Sequence, residues 1–286
     1  MDKKYQDISD VVKADIERVN KNLSFDVDLF PKLSRDVEKF LNAPSKRIRS
    51  LVSILYLRAS KMYLLPSHYD LFTAVELIHN ASLIHDDIID ESTVRRNKST
   101  INEKFGDKVA VTTGDYVLGL ALKKLIKINS PYILSVFADT ITTMCKGEVS
   151  QYFNRFKKQN IEQYIEKTSQ KTASLFESAL KSAILLAEGE YDDKAQEFIV
   201  NFGIAFQIKD DLMNVLNSKK SKNISDTDGG IYNAPMILDD DLEAGIEKTK
   251  ILMNNYLSCA GQCLEDLKES PYKTALYGLL EWIRNV

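Results

Sequence analysis

Apolar and polar positions along this chain recur at helical spacing, and no stretch alternates with period two. The pattern predicts an N-terminal helix over residues 7–22 and a second between Pro31 and Pro44. A third, over 46–60, opens on Lys46, Arg47 and Arg49. Residues 68–90 are apolar on several faces, which marks a central, buried helix. Residues 91–108 read as a loop with some local structure. Helical spacing resumes over 109–127, 131–155, 161–188, 192–218, 241–268 and 271–284. Residues 219–237 form the longest irregular stretch; their lysines and Gly229-Gly230 suit an active-site flap. No tandem repeat or linker divides the chain. The expectation is an all-α fold: one domain over residues 1–286, built as a bundle of about ten or more helices around a central cavity.

Composition narrows the function. Glycine and proline are scarce, 11 and 6 in 286 residues, which favours long helices over a turn-rich β protein. A net charge of −3 supplies no basic field, so nucleic acid is not an expected partner. No run approaches the roughly 18 apolar residues of a membrane span, and the first residues form no apolar signal segment. A cytoplasmic location is expected. Cys145, Cys259 and Cys263 are odd in number and lack CxxC spacing, so reduced thiols are expected.

Two acidic clusters stand where acids are costly. Asp86, Asp87 and Asp90 end the apolar run 68–90, and Asp210 and Asp211, followed by Asn214, end another. Positions i, i+1 and i+4 lie within one helical turn. Carboxylates crowded on an apolar face repel each other unless a cation neutralises them. Hard oxygen ligands suit magnesium, which joins one or two carboxylates to substrate phosphates and waters. That points to cleavage of a carbon–oxygen bond to diphosphate, with the apolar helix body housing a hydrocarbon. Two other acidic groups, Asp192-Asp193 and Asp239-Asp240-Asp241, stand where helices begin and read as caps.

Six segments in order resemble the trans-isoprenyl diphosphate synthases, the polyprenyl synthetase family, over nearly the whole chain. They are Asp86-Asp-Ile-Ile-Asp90, the pair Arg95-Arg96 after it, Gly114-Asp115, Gly147-Glu148 with Gln151, Lys171-Thr172, and Phe206-Gln207-x-x-Asp210-Asp211. The resemblance implies that Asp86, Asp87, Asp90, Asp210 and Asp211, with Asn214 in place of a third aspartate, hold three magnesium ions on an allylic diphosphate. It assigns Arg95, Lys171 and a lysine of 219–222, taken as Lys222, to the same pocket. Lys46, Arg49, His79 and Arg96 correspond to the site for isopentenyl diphosphate, and His85 to a supporting position. Thr172 and Gln207 fall beside the path of the cation, where their oxygens stabilise positive charge. Val75, Ile78, Ala81 and Ser82 line the face leading away from the first motif. Small Ala81 and Ser82 leave that path open, so an all-trans product of C20 or longer is expected.

Where the family pattern has glycines before its basic segment, this chain has Ala43-Pro44-Ser45, and against the resemblance the stretch after Pro235 is expected to lack a C-terminal helix or two. A homodimer is implied. Rival expectations are a class I terpene cyclase, against which Lys46, Arg49 and Arg96 speak, and a partner-dependent subunit of a heteromeric synthase.

Overall fold

The computed structural model describes residues 3–221 and 230–286. Among them the helices are α1 (Lys3–Asp10), α2 (Lys13–Leu23), α3 (Pro31–Leu41), α4 (Ile48–Ala59), α5 (Pro66–Ile89), α6 (Ile101–Phe105) and α7 (Asp107–Lys127). There follow α8 (Pro131–Phe153), α9 (Ile161–Thr168), α10 (Ser174–Leu186), α11 (Asp193–Ser221), α12 (Ala234–Leu238), α13 (Leu242–Gln262) and α14 (Pro271–Arg284). Two short strands, β1 (Val94–Arg95) and β2 (Lys98–Ser99), make one antiparallel hairpin. The fold is all-α. It groups into two compact units, each gathered from separate stretches: residues 12–54 with 63–135, and residues 1–11 and 55–62 with 136–286.

The first unit is built on α5. Pro66 opens the helix, where its missing N–H costs nothing, and the His68 ring accepts the Leu65 N–H at 2.9 Å. Leu71, Phe72, Val75, Leu77 and Ile78 are fully buried, and α2 and α7 pack against this helix. Contact with α7 is close because Gly114 has no side chain; a Cβ there would lie 2.1 Å from His85 Nε2. The helix stops at Asp90, and Glu91 turns the chain away with a left-handed φ of 51°.

The second unit is built on α11. Phe198, Phe202, Ile208 and Leu212 are fully buried, with α10, α13 and α14 packed around them. Both acidic groups read as caps do cap. Asp192 Oδ1 accepts the Ala195 N–H and Asp241 Oδ1 the Ala244 N–H, at 2.8 and 2.9 Å. Lys209 is buried and spends its ammonium on the end of α14, donating to the carbonyls of Trp282, Ile283 and Asn285 at 2.7, 3.3 and 3.2 Å. Lys209→Met leaves those carbonyls short of a donor. It is expected to lower stability by about 2 kcal/mol, read as a fall in the urea midpoint with an unchanged slope.

Five stretches differ from the sequence expectation: residues 219–237, read as irregular, are helical over 219–221 and 234–237, and the flap expected there falls largely on 222–229, outside the described residues. The single helix over 7–22 is two, broken at Val11 and Val12, because α1 packs on α14 while α2 packs on α5. Residues 91–108 hold the hairpin, α6 and the first turn of α7. The run over 241–268 ends at Gln262 and continues as turns. The run over 161–188 is interrupted at residues 169–173 by a π-helical turn, in which the Ser174 N–H bonds to the Ser169 carbonyl. Such turns take one residue more than an α turn. Two glycines make room for this one. A Cβ on Gly203 would lie 2.9 Å from Ala173 Cα, and one on Gly147 would lie 3.2 Å from the Lys171 nitrogen.

Candidate active site

In the first unit, the last turn of α5 presents Asp86, Asp87 and Asp90. Asp86 is half-buried, Asp90 exposed, and Asp87 only 3% accessible. Burial pushes the Asp87 carboxyl above the usual carboxylate range, and Arg95 pulls against that shift, its Nε donating to Asp87 Oδ1 at 2.7 Å. Arg95 is delivered by the hairpin. Its two-residue turn is Arg96-Asn97, both left-handed with φ of 50° and 60°, which matches the twist of paired strands. That turn carries Arg96 to the face of Phe40, 5.9 Å from the ring centre.

Basic groups gather around His79. Burial holds its pKa well below the ordinary imidazole value, and the charges of Arg49, Arg96, Arg95 and Arg47 lower it further. The ring is therefore neutral at physiological pH and lies in a strongly positive field. Arg96 is lowered as well, by burial first and then by Arg47 and Arg95. Arg47 has a structural task. It precedes α4 with a φ of 49° and is buried, donating to the Leu41 carbonyl, Asn20 and Glu76 at 2.9, 3.0 and 3.4 Å. Glu76 also accepts the Ser50 hydroxyl at 2.7 Å. With Arg47 committed inward, Arg49 is left half-buried and Lys46 exposed. The chain-length candidates lie in order along α5, with Val75, Ile78 and Ala81 buried and Ser82 half-buried. His85 reaches toward Asp115 on α7, 3.4 Å from its carboxylate.

In the second unit, the π turn and α11 bring Lys171, Thr172, Gln207 and Asp211 together. Lys171 is ion-paired with Glu148 of α8. The Thr172 hydroxyl donates to Gln207 Oε1 at 2.8 Å, and Gln207 Nε2 donates to Asp211 Oδ1 at 2.9 Å. Tyr164, which the sequence reading missed, donates to Asp211 Oδ2 at 2.7 Å. Burial raises the Asp211 pKa, and the hydrogen bonds from Tyr164 and Gln207 oppose the rise. Lys167, also missed, is lowered by burial and stands over the Tyr164 ring at 5.4 Å. Neither residue belongs to an acidic or glycine motif. The one signal for them is that Tyr164, Lys167 and Lys171 are spaced along a single helical run. Asp210 is half-buried, and Asn214, one turn on, is exposed. Lys222 lies outside the described residues.

Among the described residues, no three carboxylate, histidine or cysteine groups form a protein-only metal cage. Exposed or half-buried aspartates such as Asp86, Asp90 and Asp210 fit an ion that completes its shell with substrate oxygens and water. No helix among the described residues is long and apolar enough to cross a membrane.

The Polyprenyl synthetase family profile matches residues 30–271, a span that takes in stretches of both units. A prenyl transferase of Cyanophora paradoxa is 30% identical over 95% of each chain. The octaprenyl diphosphate synthase of Haemophilus influenzae is 34% identical over 77% of this chain and 68% of its own. The solved polyprenyl synthase of Caulobacter crescentus, complexed with calcium and isoprenyl diphosphate, superposes with a TM-score of 0.88 at 21% identity, covering 99% of this chain and 98% of that one. With the six segments in order and the fold in common, the chain belongs to the polyprenyl synthetase family and is a prenyltransferase.

Proposed function

We propose that this prenyltransferase condenses isopentenyl diphosphate with an allylic prenyl diphosphate and repeats the step to an all-trans product longer than C20. The observation that carries this reading is the basic cluster around neutral His79. A cyclase needs one diphosphate site, whereas Lys46, Arg49 and Arg96 supply a second. Guanidinium groups match phosphate oxygens two at a time, and Arg49 and Arg96 stand close enough to His79 to share one field. A neutral imidazole in that cluster donates to an anion without adding a charge of its own.

Asp86, Asp87, Asp90, Asp210, Asp211 and Asn214 are the proposed ligands of magnesium, with Asp87 also anchoring Arg95. When bound, the metal offsets the charge that builds on the departing diphosphate. Arg95 and Lys171 are the proposed cationic contacts of diphosphate oxygens. Ionisation of the allylic carbon–oxygen bond leaves a carbocation, which the Gln207 and Thr172 oxygens stabilise. The isopentenyl double bond attacks it, and a proton then passes to the released diphosphate, so no side-chain base is required. Small Ala81 and Ser82 support a long product, as does the likeness to an octaprenyl diphosphate synthase. The homodimer and the cytoplasmic location belong to the same reading.

The test is purified protein with magnesium, labelled isopentenyl diphosphate and allylic primers of increasing length. Elongated prenyl diphosphates beyond C20 are expected. Cyclic hydrocarbon without isopentenyl uptake would replace this reading by a cyclase. Turnover only after a second protein is added would replace it by a heteromeric subunit.

A further inference from the structure

Tyr164 is buried to 1% accessibility, and a phenylalanine would fill that space equally well. The hydroxyl is the part that calls for explanation. It donates to Asp211 Oδ2, while Gln207 donates to Oδ1 and the Ala234 backbone N–H also bonds this carboxylate. A carboxylate offers about four lone-pair positions, so three donors leave one direction open.

The sense of each bond is fixed. The Asp211 carboxylate only accepts, so it takes the amide end of Gln207, which leaves the Gln207 carbonyl to accept the Thr172 hydroxyl. For the same reason the Tyr164 hydroxyl, 2.7 Å from Asp211 Oδ2, is the donor of its pair. Tyr164 is itself anchored by the start of α9. Asn160 Oδ1 accepts the Gln163 N–H at 2.8 Å, Gln163 Oε1 accepts the Asn160 N–H at 3.1 Å, and the Tyr164 N–H bonds the Asn160 carbonyl at 3.1 Å. The orientation of a motif carboxylate on α11 therefore traces to a helix cap on another element.

We propose that Tyr164 is a positioning residue for prenyl transfer, its hydroxyl holding the Asp211 carboxylate in one orientation for a divalent cation. This rests on the reading of Asp211 as a magnesium ligand. Tyr164→Phe keeps the ring under Lys167 and removes only the donor. In the variant, manganese affinity in the presence of inorganic diphosphate, measured from the electron spin resonance of free Mn²⁺, is expected to fall about tenfold. The magnesium concentration for half-maximal activity is expected to rise by a similar factor, with the KM for isopentenyl diphosphate unchanged. In an Asp211→Asn background the same replacement is expected to change manganese affinity less than about twofold, because the two groups act as one unit.

An unchanged manganese affinity in Tyr164→Phe overturns the inference, and so does an equal loss in both backgrounds. Failure of the underlying reading looks different: the wild type forms no elongated product at any magnesium concentration, while the manganese titrations still decide the role of Tyr164.

Discussion

Asp86→Ala is expected to lower kcat/KM for prenyl transfer by about 10³-fold with helical circular dichroism unchanged, and Asp210→Ala to do the same. Both carboxylates are half-buried on helices whose cores are formed by other side chains, so their loss costs little stability. Asp87 and Asp211 are poorer probes of the metal. Removing Asp87 also strips Arg95 of its 2.7 Å partner, and removing Asp211 leaves the donors of Tyr164 and Gln207 unmatched. A loss in either of those variants mixes structure with chemistry. Activity within threefold of wild type in Asp86→Ala or Asp210→Ala would end the magnesium assignment.

Ser82→Phe is expected to shorten the main product by at least one isoprene unit and to leave the first condensation near its wild-type rate. Ser82 suits this test better than Ala81. It is half-buried, and its hydroxyl donates within its own helix, to the His79 carbonyl at 2.9 Å. Ala81 is 2% accessible, so a large ring there overpacks the helix at a cost of about 1–3 kcal/mol. Mass spectrometry of the dephosphorylated products reads the change directly. An unaltered product distribution would move the floor of the hydrocarbon path off this face of α5.

Helix identity was legible because the apolar period is a property of local sequence, and α5 and α11 were placed to within a few residues. The acidic clusters were legible for a related reason: charges in apolar runs are costly and stand out. Residues that hold the chemistry in place were not legible. Tyr164 is an aromatic at core spacing, and its role depends on a hydroxyl meeting Asp211 across 47 positions of sequence. Arg47 and Arg49 are the same residue type two places apart. Only the left-handed backbone at Arg47 and the buried Glu76 decide which one turns inward. The break between α1 and α2 follows from two different packing partners, which no window of local sequence contains.

The π turn at residues 169–173 has a consequence for how this chain tolerates change in length. It stores one surplus residue inside an otherwise regular run, in the turn that carries Lys171 and Thr172. Deleting a single residue within it, at Ser169 or Gln170, would let the run close as an ordinary α-helix. Each residue along such a helix turns by about 100°, so Lys171 and Thr172 would swing a quarter-turn or more against everything upstream. The helix would survive and the pairing with Glu148 and Gln207 would not. In this stretch the reading frame of the chemistry is kept by a residue count, and an indel here is more damaging than most substitutions.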